Sequence, residues 1–173
     1  MRSLILGGAR SGKSALAERL AAASGHEVVY IATAQARDAE MEARIAHHRA
    51  SRPSHWRCVE EPLALAAALQ DHARPGRCVL VDCLTLWLSN LLGADDSTRF
   101  AIEREALLNV MPSITGQVLL VSNEVGLGVV PMGELTRRFV DEAGRLHQAL
   151  AAQCERVLFV AAGLPLALKG SVA

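Results

Sequence analysis

The chain has 173 residues, 51% of them apolar, with 18 basic and 18 acidic side chains and a formal net charge of zero. That length suits a single domain with a sizeable core, and the balanced charge argues against a general nucleic-acid binder, which would show a basic stripe. The four cysteines (Cys58, Cys78, Cys83, Cys154) form no C-x-x-C pair, and no stretch approaches a secretory signal or the ~18 apolar residues of a membrane span, so a reduced, cytoplasmic protein is expected. Cys78 lies within an apolar run and reads as core. In chain order, SLILG (3–7) is a β-like run ended by glycines, and SALAERLAAAS (14–24) is built of helix formers. EVVYIAT (27–33) predicts a second strand. DAEMEARIAHHRAS (38–51) predicts an amphipathic helix with Asp38 as its N-cap. EPLALAAALQDHA (61–73) reads as a helix with Pro62 near its first turn, and RCVLVD (77–82) as a buried strand finishing on an acid. LTLWLSNLL (84–92) and DDSTRFAIEREALLNVM (95–111) predict helices, with 93–98 as the connection. QVLLVSNE (117–124) is a strand followed by the glycine-containing loop VGLGVVP (125–131), a long helix covers 132–152, and ERVLFVAAG (155–163) is the last strand.

About five strands with helices between them result. Their apolar runs are continuous rather than alternating, which means burial on both faces and a mainly parallel sheet covered by helices. No linker, repeat or low-complexity segment interrupts the pattern, so residues 1–173 read as one α/β nucleotide-binding domain.

The nucleotide assignment comes from GGARSGKS, residues 7–14, which satisfies G-x-x-x-x-G-K-[ST] between a strand and a helix. Gly7, Gly8 and Gly12 let the backbone turn and bring N–H groups to phosphate oxygens. Lys13, one of only two lysines in the chain, offers a point charge to the β- and γ-phosphates, and the Ser14 hydroxyl suits Mg²⁺. The helix that follows directs its positive end at the anion. Asp82, at the end of RCVLVD, is positioned as the strand-end acid that helps hold the metal. Asn123 and Glu124 end another strand, and the loop behind them has the look of one shaped around a ligand.

EMEARIAHHRASRPSHW (40–56) places two histidines side by side. On a helix, Met41, Ile45 and His48 share one stripe, whereas Glu40, Arg44 and His47 form the neighbouring polar one. His48 therefore leans toward packing and His47 toward solvent. A neutral, accessible imidazole near a triphosphate can attack the α-phosphorus and release pyrophosphate. The same spacing also suits an idle surface histidine, and His55 beside Trp56 could be structural. Arg44, Arg49 and Arg52 are close enough in sequence to steady phosphates, or are ordinary solvated charges.

These segments together resemble the bifunctional adenosylcobinamide kinase/adenosylcobinamide-phosphate guanylyltransferase family of cobalamin biosynthesis, over nearly the whole chain. The resemblance is carried by GGARSGKS (7–14), YIATAQ (30–35), DAEMEARIAHHRASRPSHW (38–56), VSNEVGLGVVP (121–131) and RRFVDEAGRLHQALA (137–151). It implies a RecA-like P-loop fold and a homotrimer. It also implies phosphorylation of adenosylcobinamide by ATP or GTP with Mg²⁺, and transfer of GMP from GTP to adenosylcobinamide phosphate through a guanylyl-histidine on His47. The catalytic residue it implies is His47, beside Lys13 and the Ser14 and Asp82 metal positions read from the phosphate loop. Guanine-nucleotide contacts are implied from Gly7, Gly8, Ala9, Arg10, Ser11, Gly12, Lys13 and Ser14, from Ala32, Thr33, Ala34 and Gln35, from His48, Arg49, Ala50 and Ser51, and from Glu60 and Asp82. The sequence departs from the family at Asp82, where some members carry Glu, at His147, where asparagine is frequent, and in the loosely matched AQARDAE turn. Two other readings of the P-loop remain: a monofunctional small-molecule kinase, and a RecA-like nucleotide switch without small-molecule chemistry.

Overall fold

A computed structural model describes residues 1–35, 53–94, 96 and 98–172. The helix expected over 38–51 lies outside these residues, with Arg44, His47, His48, Arg49, Ala50, Ser51 and Arg52. The described elements are β1 (Arg2–Gly7), α1 (Lys13–Ala22), β2 (Glu27–Ala32), β3 (Arg57–Glu60), α2 (Leu65–His72), β4 (Arg77–Asp82), α3 (Leu84–Leu92), α4 (Arg99–Val110), β5 (Gln117–Asn123), α5 (Glu134–Gln153), β6 (Arg156–Ala161) and β7 (Leu164–Lys169). A 3₁₀ turn, Met111–Ser113, follows α4.

The strands form one sheet in the order β3-β2-β4-β5-β1-β6-β7, in which only the β6–β7 pairing is antiparallel. The five apolar runs read as strands are the five central ones. Leu4, Ile5, Val79, Leu80, Val81, Leu119, Leu120 and Leu158 are fully buried, as expected for strands covered on both faces. Alternate residues feed two cores. Ile5, Tyr30, Leu80 and Leu158 pack with Leu16, Ala17 and Ala21 of α1 on one face. Leu4, Leu6, Val79, Val81 and Leu120 pack with α2, α3, α4 and α5 on the other, around the buried Trp87, whose indole N–H donates to Leu63 O (2.7 Å).

Among the described residues the sheet thus has seven strands rather than about five. The two additional strands are its edges. β3 has only four residues, RCVE, with Arg57, Cys58 and Glu60 exposed, so it offers no apolar run. β7 turns its large side chains outward: Leu164, Leu166 and Leu168 are exposed, while Pro165 and Ala167 are half-buried. Helix α2 begins at Leu65 rather than at 61, because Glu61 Oε1 accepts the N–H groups of Leu63 (2.9 Å) and Ala64 (2.7 Å) and holds the segment in a turn. Helix α4 begins at Arg99 rather than 95, after Asp96 Oδ1 accepts the N–H (2.9 Å) and Oγ1–H (2.7 Å) of Thr98. Lys169 Nζ donates to Ala151 O (2.9 Å) and Ala152 O (3.2 Å), fixing β7 against the C-terminal carbonyls of α5. Among the described residues, no helix is long and apolar enough to cross a membrane.

Candidate active site

The parallel strands point their C-terminal ends at one edge of the sheet, where ligands of open α/β folds bind. Register brings the expected residues to this edge. Ala32 pairs with Asp82 on one side and with Glu60 on the other. Gly7 pairs with Asn123 and with Val160.

The phosphate loop leaves β1 at Gly7 and enters α1 at Lys13. Gly12 sits at φ 95°, in the left-handed region that favours glycine, directly before the helix. No side chain caps α1, so its first N–H groups, which have no intrahelical acceptor, remain available to an anion. Inside the loop, Ser11 N–H donates to Gly8 O (3.2 Å). Gly8 and Ser14 are half-buried, Ala9 and Arg10 are exposed, and Arg10 adopts φ 56°. The Ser11 hydroxyl is buried without a hydrogen-bond partner among the described residues.

Lys13 is buried, and its Nζ donates to Gly8 O (3.1 Å), so the ammonium lies folded back over the loop. Burial lowers its pKa from the usual lysine value, with Cys83 and the Asp82 carboxylate pulling the other way. A phosphate arriving here would supply the counter-charge that the burial lacks. Asp82 ends β4 at the same sheet edge as the phosphate loop.

Thr33 is fully buried and acts as a clamp: its Oγ1 accepts from Cys83 N (2.9 Å) and donates to Cys83 O (2.7 Å). Asn90 of α3 reinforces it, donating from Nδ2 to Thr33 O (2.8 Å) and Pro62 O (3.1 Å). The β2 and β4 exits are thereby tied together, which fixes the level of Asp82. Beyond Thr33, Ala34 is half-buried and Gln35 exposed.

Sequence reasoning missed the contribution of the β6–β7 hairpin. Its two-residue turn, Ala162–Gly163, has φ 51° and 79°. Gly163 N–H donates to Ser11 O (2.8 Å), and a Cβ on Gly12 would meet Gly163 Cα at 3.1 Å. The hairpin therefore supports the phosphate loop from behind. The only sequence signal was the glycine closing VAAG. A second missed group is a buried polar chain of Thr85, Ser122 and His147 that leads to Glu124, drawn from three separated elements.

A glycine-rich phosphate loop on a central strand, backed by α1 and faced by a strand-end aspartate, defines a P-loop nucleotide-binding α/β protein with a RecA-like sheet. The solved RadB recombinase shares the fold, with a TM-score of 0.51 at 16% identity over 91% of this chain and 73% of that one. A family model described as cobinamide kinase / cobinamide phosphate guanyltransferase matches residues 3–168, and the chain belongs to that family. It is 69% identical to the bifunctional adenosylcobalamin biosynthesis protein CobP of Pseudomonas aeruginosa, over 98% of each chain. It is 42% identical to the bifunctional adenosylcobalamin biosynthesis protein CobU of Escherichia coli, over 98% of this chain and all of that one.

Proposed function

We propose that residues 1–173 form one catalytic unit that phosphorylates adenosylcobinamide with ATP or GTP and then converts adenosylcobinamide phosphate to adenosylcobinamide-GDP. The observation that carries this reading is the phosphate loop of residues 7–14, set at the sheet edge opposite Asp82 in a chain of this family. In the kinase step, the substrate hydroxyl takes the γ-phosphoryl group and the nucleoside diphosphate leaves. Lys13 and the loop N–H groups stabilise charge on the phosphoryl oxygens. Ser14 and Asp82 would hold Mg²⁺: both are oxygen donors at this edge, and one or two protein oxygens suffice for an ion that also binds phosphates. When bound, the ion neutralises charge on the phosphate oxygens.

In the second step, the neutral His47 imidazole attacks the α-phosphorus of GTP and pyrophosphate leaves with the bonding electrons. A phosphate oxygen of adenosylcobinamide phosphate then displaces His47 from phosphorus, forming the pyrophosphate link and freeing the imidazole. The nucleotide contacts of Ala32, Thr33, Ala34, Gln35, His48, Arg49, Ala50, Ser51, Glu60 and Asp82 belong to the same proposal. Thr33 would contribute through backbone or position, since its hydroxyl is committed to Cys83. A homotrimer is part of the reading, supported by exposed apolar side chains at Leu127, Val129, Val130, Met132 and Leu135. A cytoplasmic location fits an enzyme that consumes nucleoside triphosphates.

The test is turnover of adenosylcobinamide by the purified protein with ATP or GTP, followed chromatographically. Wild type should give the phosphate and then the GDP product, and Lys13→Ala should nearly abolish the phosphate. Full turnover by Lys13→Ala would refute the role of the phosphate loop.

A further inference from the structure

A buried polar chain runs beneath the candidate site on the face covered by α3 and α5. Asn123 N–H donates to Thr85 Oγ1 (2.6 Å), and the Thr85 and Ser122 hydroxyls lie 3.2 Å apart. Ser122 Oγ is 2.8 Å from His147 Nε2, and His147 Nδ1 is 3.8 Å from Glu124 Oε2. Thr85, Ser122 and His147 are 8%, 0% and 6% exposed. Three buried polar side chains in an apolar core are tolerated only when each is partnered.

The partners define the direction of the chain. The Glu124 carboxylate favours the tautomer with the proton on Nδ1, facing Oε2. Nε2 is then an acceptor and takes the Ser122 hydroxyl proton. Ser122 in turn accepts from Thr85, and Thr85 accepts from Asn123 N–H. Burial lowers the pKa of His147, with Glu124 opposing.

Glu124 is fixed at Oε1, which accepts from Gly126 N–H, with His147 beside Oε2 but beyond hydrogen-bond range. Its own N–H donates to Gly7 O (3.0 Å), which fixes the residue beside the start of the phosphate loop. It stands just beyond β5, between the phosphate-loop strand β1 and the Asp82 strand β4. The Glu124 side chain is 21% exposed, so its carboxylate is open to solvent.

We propose that Glu124 is the base that receives the hydroxyl proton during phosphoryl transfer, and that His147 is the residue that positions it. The substrate O–H bond breaks as its oxygen bonds to the γ-phosphorus, and the proton passes to the Glu124 carboxylate. The bond from the γ-phosphorus to the bridging oxygen breaks, and the nucleoside diphosphate leaves with the electron pair. This rests on the reading of residues 7–14 as the kinase nucleotide site.

The experiment compares Glu124→Gln, His147→Leu, His147→Asn and His147→Gln in the full chain. It measures kcat and KM for adenosylcobinamide, Kd for a fluorescent ATP analogue, and Tm. Glu124→Gln should lower kcat by about 10²-fold or more, in the range of a lost general base, with the analogue's Kd within threefold of wild type. His147→Leu should lower kcat roughly tenfold through misplacement of Glu124, again without loss of nucleotide affinity. His147→Asn should restore most of kcat, because its amide nitrogen occupies the place of Nδ1. His147→Gln, which reproduces only the Nε2 position, should not. If His147→Leu does not fold, the Asn and Gln variants decide. A kcat within threefold of wild type in Glu124→Gln, or rescue by Gln and not by Asn, would overturn the proposal. Lys13→Ala in the same assay separates the two failures: a dead Lys13→Ala beside an active Glu124→Gln removes only the base, while an active Lys13→Ala removes the nucleotide site and the proposal with it.

Discussion

Gly7→Ala tests how tightly the phosphate loop is built into the sheet. A Cβ at this position would lie 2.5 Å from Ser11 Oγ and 2.5 Å from Val160 O. Ser11 can change rotamer, but Val160 is the β6 partner of Gly7 in the parallel ladder and its carbonyl cannot withdraw without opening β1–β6. Forcing a methyl group into a packed interior costs about 1–3 kcal/mol. At roughly 2–4 °C per kcal/mol for a domain of this size, the expected fall in Tm is roughly 2–12 °C without any nucleotide present. Gly8→Ala is the control, because a Cβ there meets no atom within 4 Å and φ is not positive. Its Tm should stay within about 1–2 °C of wild type, the equivalent of the ~0.5 kcal/mol of a neutral surface change. Thermal unfolding by circular dichroism measures both variants. An unchanged Tm for Gly7→Ala, or a larger fall for Gly8→Ala, would refute the steric argument.

Three further outcomes follow from the same structure. Burial pushes the Cys78, Cys83 and Cys154 thiols up to about 11, whereas Cys58 is exposed, so native protein at pH 8 should react rapidly with a thiol reagent at one cysteine of four; peptide mapping that finds a second rapid site would contradict this. Arg2 binds Glu155 through its side chain and backbone N–H and holds the carboxyl at about 2, below its usual 4.5. A depressed carboxylate stabilises the fold above the unfolded pKa and loses that contribution as pH falls from about 4.5 toward 2. With Glu155 49% exposed, screening limits the effect to about 1 kcal/mol or less, measurable as a flatter acid limb of urea stability in Glu155→Gln. Finally, if the proposed trimer packs through this patch, Val129→Asp with Met132→Asp should give monomers by light scattering where wild type gives trimers, since both side chains are more than nine-tenths exposed in the isolated chain; a trimer in the double variant would refute this interface.

What was legible in the sequence depended on whether a signal was local. The phosphate loop was legible because strand, glycines, Lys13 and helix are contiguous. The central strands were legible because burial on both faces leaves continuous apolar runs such as RCVLVD and QVLLVSN. β3 and β7 were not. RCVE has no apolar run, and LPLALK places leucines at 164, 166 and 168 on the exposed side of an edge strand, reversing the usual pattern. Its hairpin turn is Ala-Gly rather than the Asn-Gly that signals such turns. The onset of α2 depended on a single side chain, Glu61, whose alternative bonds to Leu63 and Ala64 no periodicity reveals. The Thr85–Ser122–His147 chain was invisible for another reason: its members are 37 and 25 residues apart and meet only because α3 and α5 cover the same face of β5. Glu124 was legible as a strand-end acid, but its support was not.

One chain is proposed to carry both a P-loop kinase and a histidine that becomes guanylylated. The most direct measurement is to incubate the protein with GTP labelled at the α-phosphate or at the γ-phosphate and map retained label by peptide mass spectrometry. Acid-labile label is expected from the α-position only, on His47, and none in His47→Ala. Label from the γ-position, or α-label retained undiminished in His47→Ala, would contradict it.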